Sequence, residues 1–446
     1  MATSAYQIEG AWNEGGRGPS IWDTFSQTPG NVVNDVPGDR GADHYHRVTE
    51  DVGLLQDLGV DSYRFSLSWS RILPDGRGPI NRAGIDFYLR LLDQLNEAEI
   101  SANATLYHWD LPQALEDLGG WRNRDIQHWF ADYAALAFDR FGSRVSKWAT
   151  LNEPIANWVG YGLGIFAPGI TDPRGGRNAM HNALLAHGQA VQAFRASAAT
   201  GDIGVVVDVW KRAASEPTPE NLQVVREEDA DSFESFLNPL FRGGYSPFQL
   251  ERWSTQGVLP DVRDGDQALI EAPLDFFGLN IYNRVLVDGA PTRPADSDGF
   301  VGGNFLDNGE YYDPTVAYDV LMMLRDEYDV SVPIYITENG ISNCNEGVAD
   351  GRVRDHDRID YIRRFLTSIA RAAADGVDVR GYYHWSLVDN FEWSMGYSSR
   401  FGLYHLDLET FDRSPKDSAL WYRDVVRTGS LRADIPISAA RSSRAR

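Results

Sequence analysis

Short runs rich in β-branched and aromatic residues recur along the chain, at 60–69, 100–109, 147–152, 203–210, 276–282, 334–337 and 381–387. Between them lie stretches with apolar residues at helical spacing, at 86–98, 126–141, 180–199, 315–328 and 358–374. Strands that alternate with amphipathic helices predict a parallel sheet covered by those helices. The seven runs, with segment 2–7 as the end of an eighth, would close a barrel. An open doubly wound sheet is the competing arrangement.

The ends of the runs separate the two. Polar and aromatic residues sit at the end of nearly every one: Gln7, Arg64, His108, Asn152 with Glu153, Asn280 with Tyr282, Glu338, and Trp385. In a closed barrel all strand C-termini converge on one mouth, whereas an open sheet places a cleft at a single switch point. No glycine-rich phosphate loop follows any strand, so a nucleotide site has no support. The expected fold is therefore α/β, a single (β/α)8 TIM barrel over 1–430 with long βα-loop insertions. Segments around 28–45, 160–180, 290–315 and 342–357 would form its rim, and 431–446 a disordered tail.

Composition narrows the partners. The 446 residues carry a net charge of −23, a surface that repels nucleic acid and anionic membranes. A single cysteine, Cys344, excludes an internal disulfide framework and a thiolate metal cluster. No apolar run reaches the ~18 residues of a membrane span and no charged-then-apolar leader opens the chain, so a soluble cytoplasmic protein is expected. His44 and His46 in Asp43-His44-Tyr45-His46 raise the question of a metal site.

Two glutamates stand out. Glu153 follows a strand in Thr150-Leu151-Asn152-Glu153-Pro154, and Glu338 follows another in Ile336-Thr337-Glu338-Asn339-Gly340. Carboxyl groups held at strand ends are placed where burial and neighbouring charge perturb their pKa. Glycoside hydrolysis needs two such groups flanking a sugar, one to protonate the leaving oxygen and one to attack or to activate water. The pattern alone does not say which is which.

The chain resembles the family 1 glycoside hydrolases, the β-glucosidase family, from Ala2 to about Val426. The matching segments are ATSAYQIEGA (2–11), SIWDTF (20–25), YRFSLSWSRILP (63–74), TLYHWDLPQAL (105–115), TLNEP (150–154), ITENG (336–340), WSLVDNFEW (385–393) and RFGLYHLD (400–407). The resemblance implies a retaining exo-β-glycosidase acting on terminal β-D-glucosides, without cofactor or metal. Glu153 would be the acid/base and Glu338 the nucleophile, with Arg64 and Tyr282 favouring the charged form of Glu338. Gln7 and Glu392 would bracket the 3-, 4- and 6-hydroxyls, with His108 and Trp393 also near the 3-hydroxyl, and Asn152 would contact the 2-hydroxyl. Asn280 would hold that side of the site, and Trp385 would stack beneath the sugar ring.

Glu392 stands where the family's phospho-glycosidases carry Ser, and Ser399 and Phe401 replace their phosphate-binding Lys and Tyr. The resemblance therefore implies an unphosphorylated sugar, with glucose, galactose and fucose all open. A transglycosidase or a non-catalytic sugar-binding relative is the alternative function, and oligomeric state is open. Three positions depart from the family pattern. The chain starts directly before ATSAYQ, where the family usually has a further run, so strand 1 is expected to be truncated. Phe166 stands in place of His, and Ile281 in place of Tyr. Phe166 predicts a more apolar aglycone entrance.

Overall fold

The computed structural model describes residues 1–287, 311–342, 346 and 351–431. Most of the expected 290–315 rim, Cys344 and nearly all of the expected tail lie outside them. Seven parallel strands form one sheet in sequence order: β1 (Ser62–Ser66), β2 (Ser101–Tyr107), β3 (Lys147–Asn152), β4 (Asp202–Asp208), β5 (Phe276–Asn280), β6 (Ile334–Asn339) and β7 (Val379–His384). Each pairs with the next, the ordering of a (β/α)8 barrel rather than of a doubly wound sheet.

The ring closes through the first residues of the chain. Ala2 bridges Arg64 of β1 and Trp385 just past β7. Its amide donates to the His384 carbonyl at 3.0 Å, the Thr3 amide to the Arg64 carbonyl at 2.9 Å, and the Arg64 amide to the Met1 carbonyl at 2.8 Å. The strand expected over 2–7 stops there, and Ala5–Ile8 is a helical turn. The Ala5 amide, which a continuing strand would give to a neighbouring carbonyl, goes to the Ser66 hydroxyl at 2.7 Å.

Helices on the outside follow the strands in turn: Arg82–Glu97, Ile126–Phe141, Pro173–Ala196, Glu234–Phe241, Val316–Asp326, His356–Ala374 and Asp417–Thr428, with His44–Leu58 ahead of β1. The main core lies between strands and helices, and a smaller one fills the barrel. Trp148 of β3, and Val205 and Val207 of β4, join the outer core, while Ala149, Val206 and Phe276 pack together inside. That alternation is the strand period of two, and it explains why β4 reads as an unbroken apolar run: both faces are buried. Among the described residues no helix is long and apolar enough to cross a membrane.

Candidate active site

The C-terminal ends of the strands surround a cavity of about 340 Å³. Glu153, Glu338, His108, Tyr282, Trp385, Glu392 and Trp393 all line it, so seven of the residues singled out in the sequence meet at one place. Arg64, Asn152, Asn280 and Gln7 are completely buried behind its wall, where they hold the lining groups.

The two glutamates are fixed by their backbones. Glu153 follows β3 in a left-handed conformation (φ 45°), with its amide donating to the Val206 carbonyl at 3.0 Å. Trp109 (φ 78°) and Trp393 (φ 49°), also on the cavity wall, share that uncommon geometry. Left-handed non-glycine residues cost conformational energy and cluster where surrounding structure over-determines them. Glu338 lies within β6, and its carbonyl accepts the Ile281 amide at 3.0 Å. Gly340, two residues on, lets the Trp385 backbone approach: a Cβ there would lie 2.0 Å from the Trp385 carbonyl oxygen.

A hydrogen-bond chain joins the two carboxyl groups. Arg64 donates through Nη1 to Glu338 Oε1 at 2.6 Å and through Nη2 to Asn152 Oδ1 at 2.6 Å. The same Asn152 oxygen accepts from Asn280 Nδ2 at 3.0 Å, and that amide also donates to Glu153 Oε1 at 2.6 Å. Thr337 fixes the Asn280 amide by donating to its oxygen at 2.7 Å. The Tyr282 hydroxyl donates to Glu338 Oε2 at 2.7 Å.

The two groups are thus chemically unequal. Glu338 is gripped by a guanidinium and a phenol, whereas Glu153 has the neutral Asn280 amide. Burial pushes the Glu153 carboxyl well above its usual range, and the charges of Asp208 and then Glu338 push further. Burial also raises Glu338, against the opposing pull of Arg64 and the Tyr282 hydroxyl. Tyr282 is a neutral donor, since burial and the Glu338 charge push its phenol far up. Burial and Arg64 push the His108 imidazole well below its usual range. His108 Nε2 meets Asn152 Nδ2 at 3.1 Å, and its Nδ1 is buried with no hydrogen-bond partner among the described residues.

On the opposite side Gln7 Nε2 donates to Glu392 Oε2 at 3.0 Å and to Asn390 Oδ1 at 3.2 Å. The Trp385 ring lies nearly parallel to His108, with centroids 5.7 Å apart. Ile155, Val159, Phe166 and Phe401 complete an apolar wall, with Phe166 centred 5.6 Å from both Trp22 and Trp109. Away from the cavity, His44 bonds Asp51 at 2.7 Å and His46 bonds Asp43 at 2.7 Å.

Asp208 and Trp210 are among the wall residues that the sequence reading did not single out. Both lie in the run 203–210, which follows the strand-end rule like the others; Asp208 is the last residue of β4. Burial raises its carboxyl to about 7.

Two buried carboxyl groups at the mouth of a barrel, one against a cation and one without, amid aromatic rings, define a glycoside hydrolase. The profile described as Glycosyl hydrolase family 1 matches residues 1–430, and the chain belongs to that family. It is 42% identical to "Beta-glucosidase A" of Thermotoga maritima over 97% of each chain. It is 40% identical to "Beta-glucosidase A" of Acetivibrio thermocellus, over 96% of this chain and 97% of the relative. It is 41% identical to "1,4-beta-D-glucan glucohydrolase" of Thermotoga neapolitana, over 97% of each chain. The solved Thermotoga maritima β-glucosidase in complex with glucoimidazole superposes with a TM-score of 0.89 at 42% identity, covering 96% of this chain and 97% of that one.

Proposed function

We propose that this family 1 β-glucosidase is a retaining exo-glycosidase, with the whole activity carried by the single barrel over 1–430. Its substrates are terminal β-D-glucosides, hydrolysed by double displacement. The observation that carries the reading is the unequal setting of the two carboxyl groups. Glu338, paired with Arg64 and Tyr282, is the one favoured as an anion and attacks the anomeric carbon as the glycosidic C–O bond breaks. Glu153, buried and bonded to a neutral amide, starts protonated and gives its proton to the departing oxygen. Glu338 is then an ester and carries no charge, so Glu153 loses one of the charges that raised it. As a carboxylate it takes a proton from water, which attacks the same carbon and releases Glu338.

The remaining residues supply the sugar site. Glu392 faces the 3-, 4- and 6-hydroxyls, held from behind the wall by Gln7, with His108 and Trp393 near the 3-hydroxyl, and Asn152 lies behind the wall on the side of the 2-hydroxyl. Asn280 holds Asn152 and Glu153, and Trp385 lies under the ring. A cavity of about 340 Å³ suits one sugar and a small aglycone. The Phe166 wall favours aryl or alkyl aglycones over long oligosaccharides, and the names of the relatives favour glucose as the glycone.

The test is azide rescue. In Glu153→Ala, azide replaces the missing base and displaces the sugar from Glu338, giving the β-glucosyl azide. In Glu338→Ala, azide attacks the substrate directly and gives the α-glucosyl azide. Exchanged products, or rescue of neither variant, contradict the assignment.

A further inference from the structure

A third carboxyl group belongs to this site. Gly204, Val206 and Asp208 share the inward face of β4, and Val206 packs inside the barrel. Asp208 is 6% exposed and lines the cavity beside Glu153, and its Oδ1 is buried with no hydrogen-bond partner among the described residues. Its register partner across β4–β5 is Asn280, the residue whose amide holds Glu153 Oε1 at 2.6 Å. The Glu153 amide is bonded to Val206, two residues before Asp208. Both backbone and side chain of Glu153 are therefore anchored next to Asp208.

No basic group is bonded to Asp208 among the described residues. Arg212, the cation that acts on it, already donates to Glu228 at 2.7 Å, to Ser232 at 2.7 Å and to the Trp210 carbonyl at 2.9 Å. Arg64 is committed to Glu338 and Asn152. The other titratable groups around Glu153 are Glu338 on β6, the neutral Tyr282 after β5, the neutral His108 after β2, and Glu392 on the far wall. Arg64 is the cation that opposes Asp208 at Glu153, and its pull is smaller than the push of Asp208.

We propose that Asp208 is a positioning residue for proton transfer, its carboxyl group set beside Glu153 to favour the acid in the first step and to strengthen the base in the second. The inference rests on the reading of Glu153 as the acid/base. Glu338 and Asp208 both press on Glu153, but they differ in time. Glu338 loses its charge when it becomes an ester; Asp208 forms no bond to the sugar and, at pH values where it is ionised, keeps its charge through both steps. Because burial raises Asp208 to about 7, its charge is absent on the acid side of that pH and present on the basic side.

The experiment is the pH dependence of kcat/KM of the full chain on an aryl β-glucoside, for wild type, Asp208→Asn and Asp208→Glu. The isosteric Asp208→Asn moves the basic limb down by about one unit, a tenfold loss at any pH beyond it. Its acid limb stays in place, because there the wild-type Asp208 is itself uncharged. Asp208→Glu, which keeps the charge, keeps the basic limb. A basic limb unmoved in Asp208→Asn overturns the proposal. So does a loss equal at every pH, or one confined to KM on cellobiose, which would make Asp208 an aglycone ligand. Azide rescue of Glu153→Ala reports separately on the acid/base assignment. Its success beside an unmoved basic limb sinks this inference alone, and its failure sinks both.

Discussion

Replacing Tyr282 by Phe removes a single interaction, the 2.7 Å bond from its hydroxyl to Glu338 Oε2. The ring is expected to keep its packing, stacked on Trp210 at 5.6 Å and edge-on to Phe401 at 6.1 Å. A hydrogen bond to a charged group contributes about 1.5–3 kcal/mol, and about 1.4 kcal/mol corresponds to one pKa unit. Glu338 is deeply buried, at 4% exposure, so solvent replaces little of the loss. The missing donor disfavours the anion, so Glu338 keeps its proton to a pH about 1–2 units higher. Since the free enzyme needs Glu338 ionised, the acid limb of kcat/KM moves up by that amount while the basic limb, set by Glu153, stays. Initial rates on an aryl β-glucoside well below KM measure it, with a thermal melt alongside to show that the fold is intact. An unmoved acid limb in a folded variant refutes the claim that Tyr282 holds Glu338 as an anion. An equal loss at all pH values refutes it too.

Two further variants test contacts elsewhere in the molecule. Lys416, fully buried, bonds Glu346 and donates to Asp389 Oδ1 at 2.8 Å, which anchors the segment leading to Glu392. Lys416→Met should destabilise the fold by about 3–5 kcal/mol in urea at neutral pH, and an unchanged midpoint contradicts this. Burial would raise Asp389, yet Lys416 and His405 hold it down to about 2. Its stabilisation is therefore present above the ordinary carboxylate pKa and is lost as pH falls toward 2, and the variant should lose this part of the acid sensitivity. Phe166→Ala should lower kcat/KM on aryl glucosides about 2- to 10-fold relative to cellobiose, the worth of one aromatic contact. An unchanged ratio contradicts the aglycone reading.

The barrel was legible because each strand is an apolar run ending in polar groups. Where the elements differ from the sequence pattern, tertiary contacts decide. The helix expected from 180 starts at Pro173, capped by Asp172, whose side chain accepts the Gly175 amide. Gly175 and Gly176 conceal that start, and Gly176 is there because a Cβ would lie 2.7 Å from the backbone of Gly162. The segment 2–7 keeps one strand-like position, Ala2, because the Ser66 hydroxyl takes the next free amide.

The site was legible as residue types at strand ends, but not as a bonded chain. Nothing along the sequence shows that Asn152 accepts from both Arg64 and Asn280, or that four of the expected residues stand behind the cavity wall. The sequence places burial and neighbouring charge at the strand-end carboxyls without ranking them; in the fold, burial comes first for Glu153, and Asp208 ahead of Glu338. Asp208 was hidden because, between two valines in an apolar strand, it reads as a gap in the pattern.

The central claim is that Glu338 and Glu153 act in turn on one carbon, so that its configuration is inverted twice. Proton NMR of the purified protein hydrolysing an aryl β-glucoside, read before mutarotation, tests this directly. The account predicts β-glucose as the first product. First appearance of α-glucose would contradict it, because a single displacement leaves no place for a glycosyl ester on Glu338.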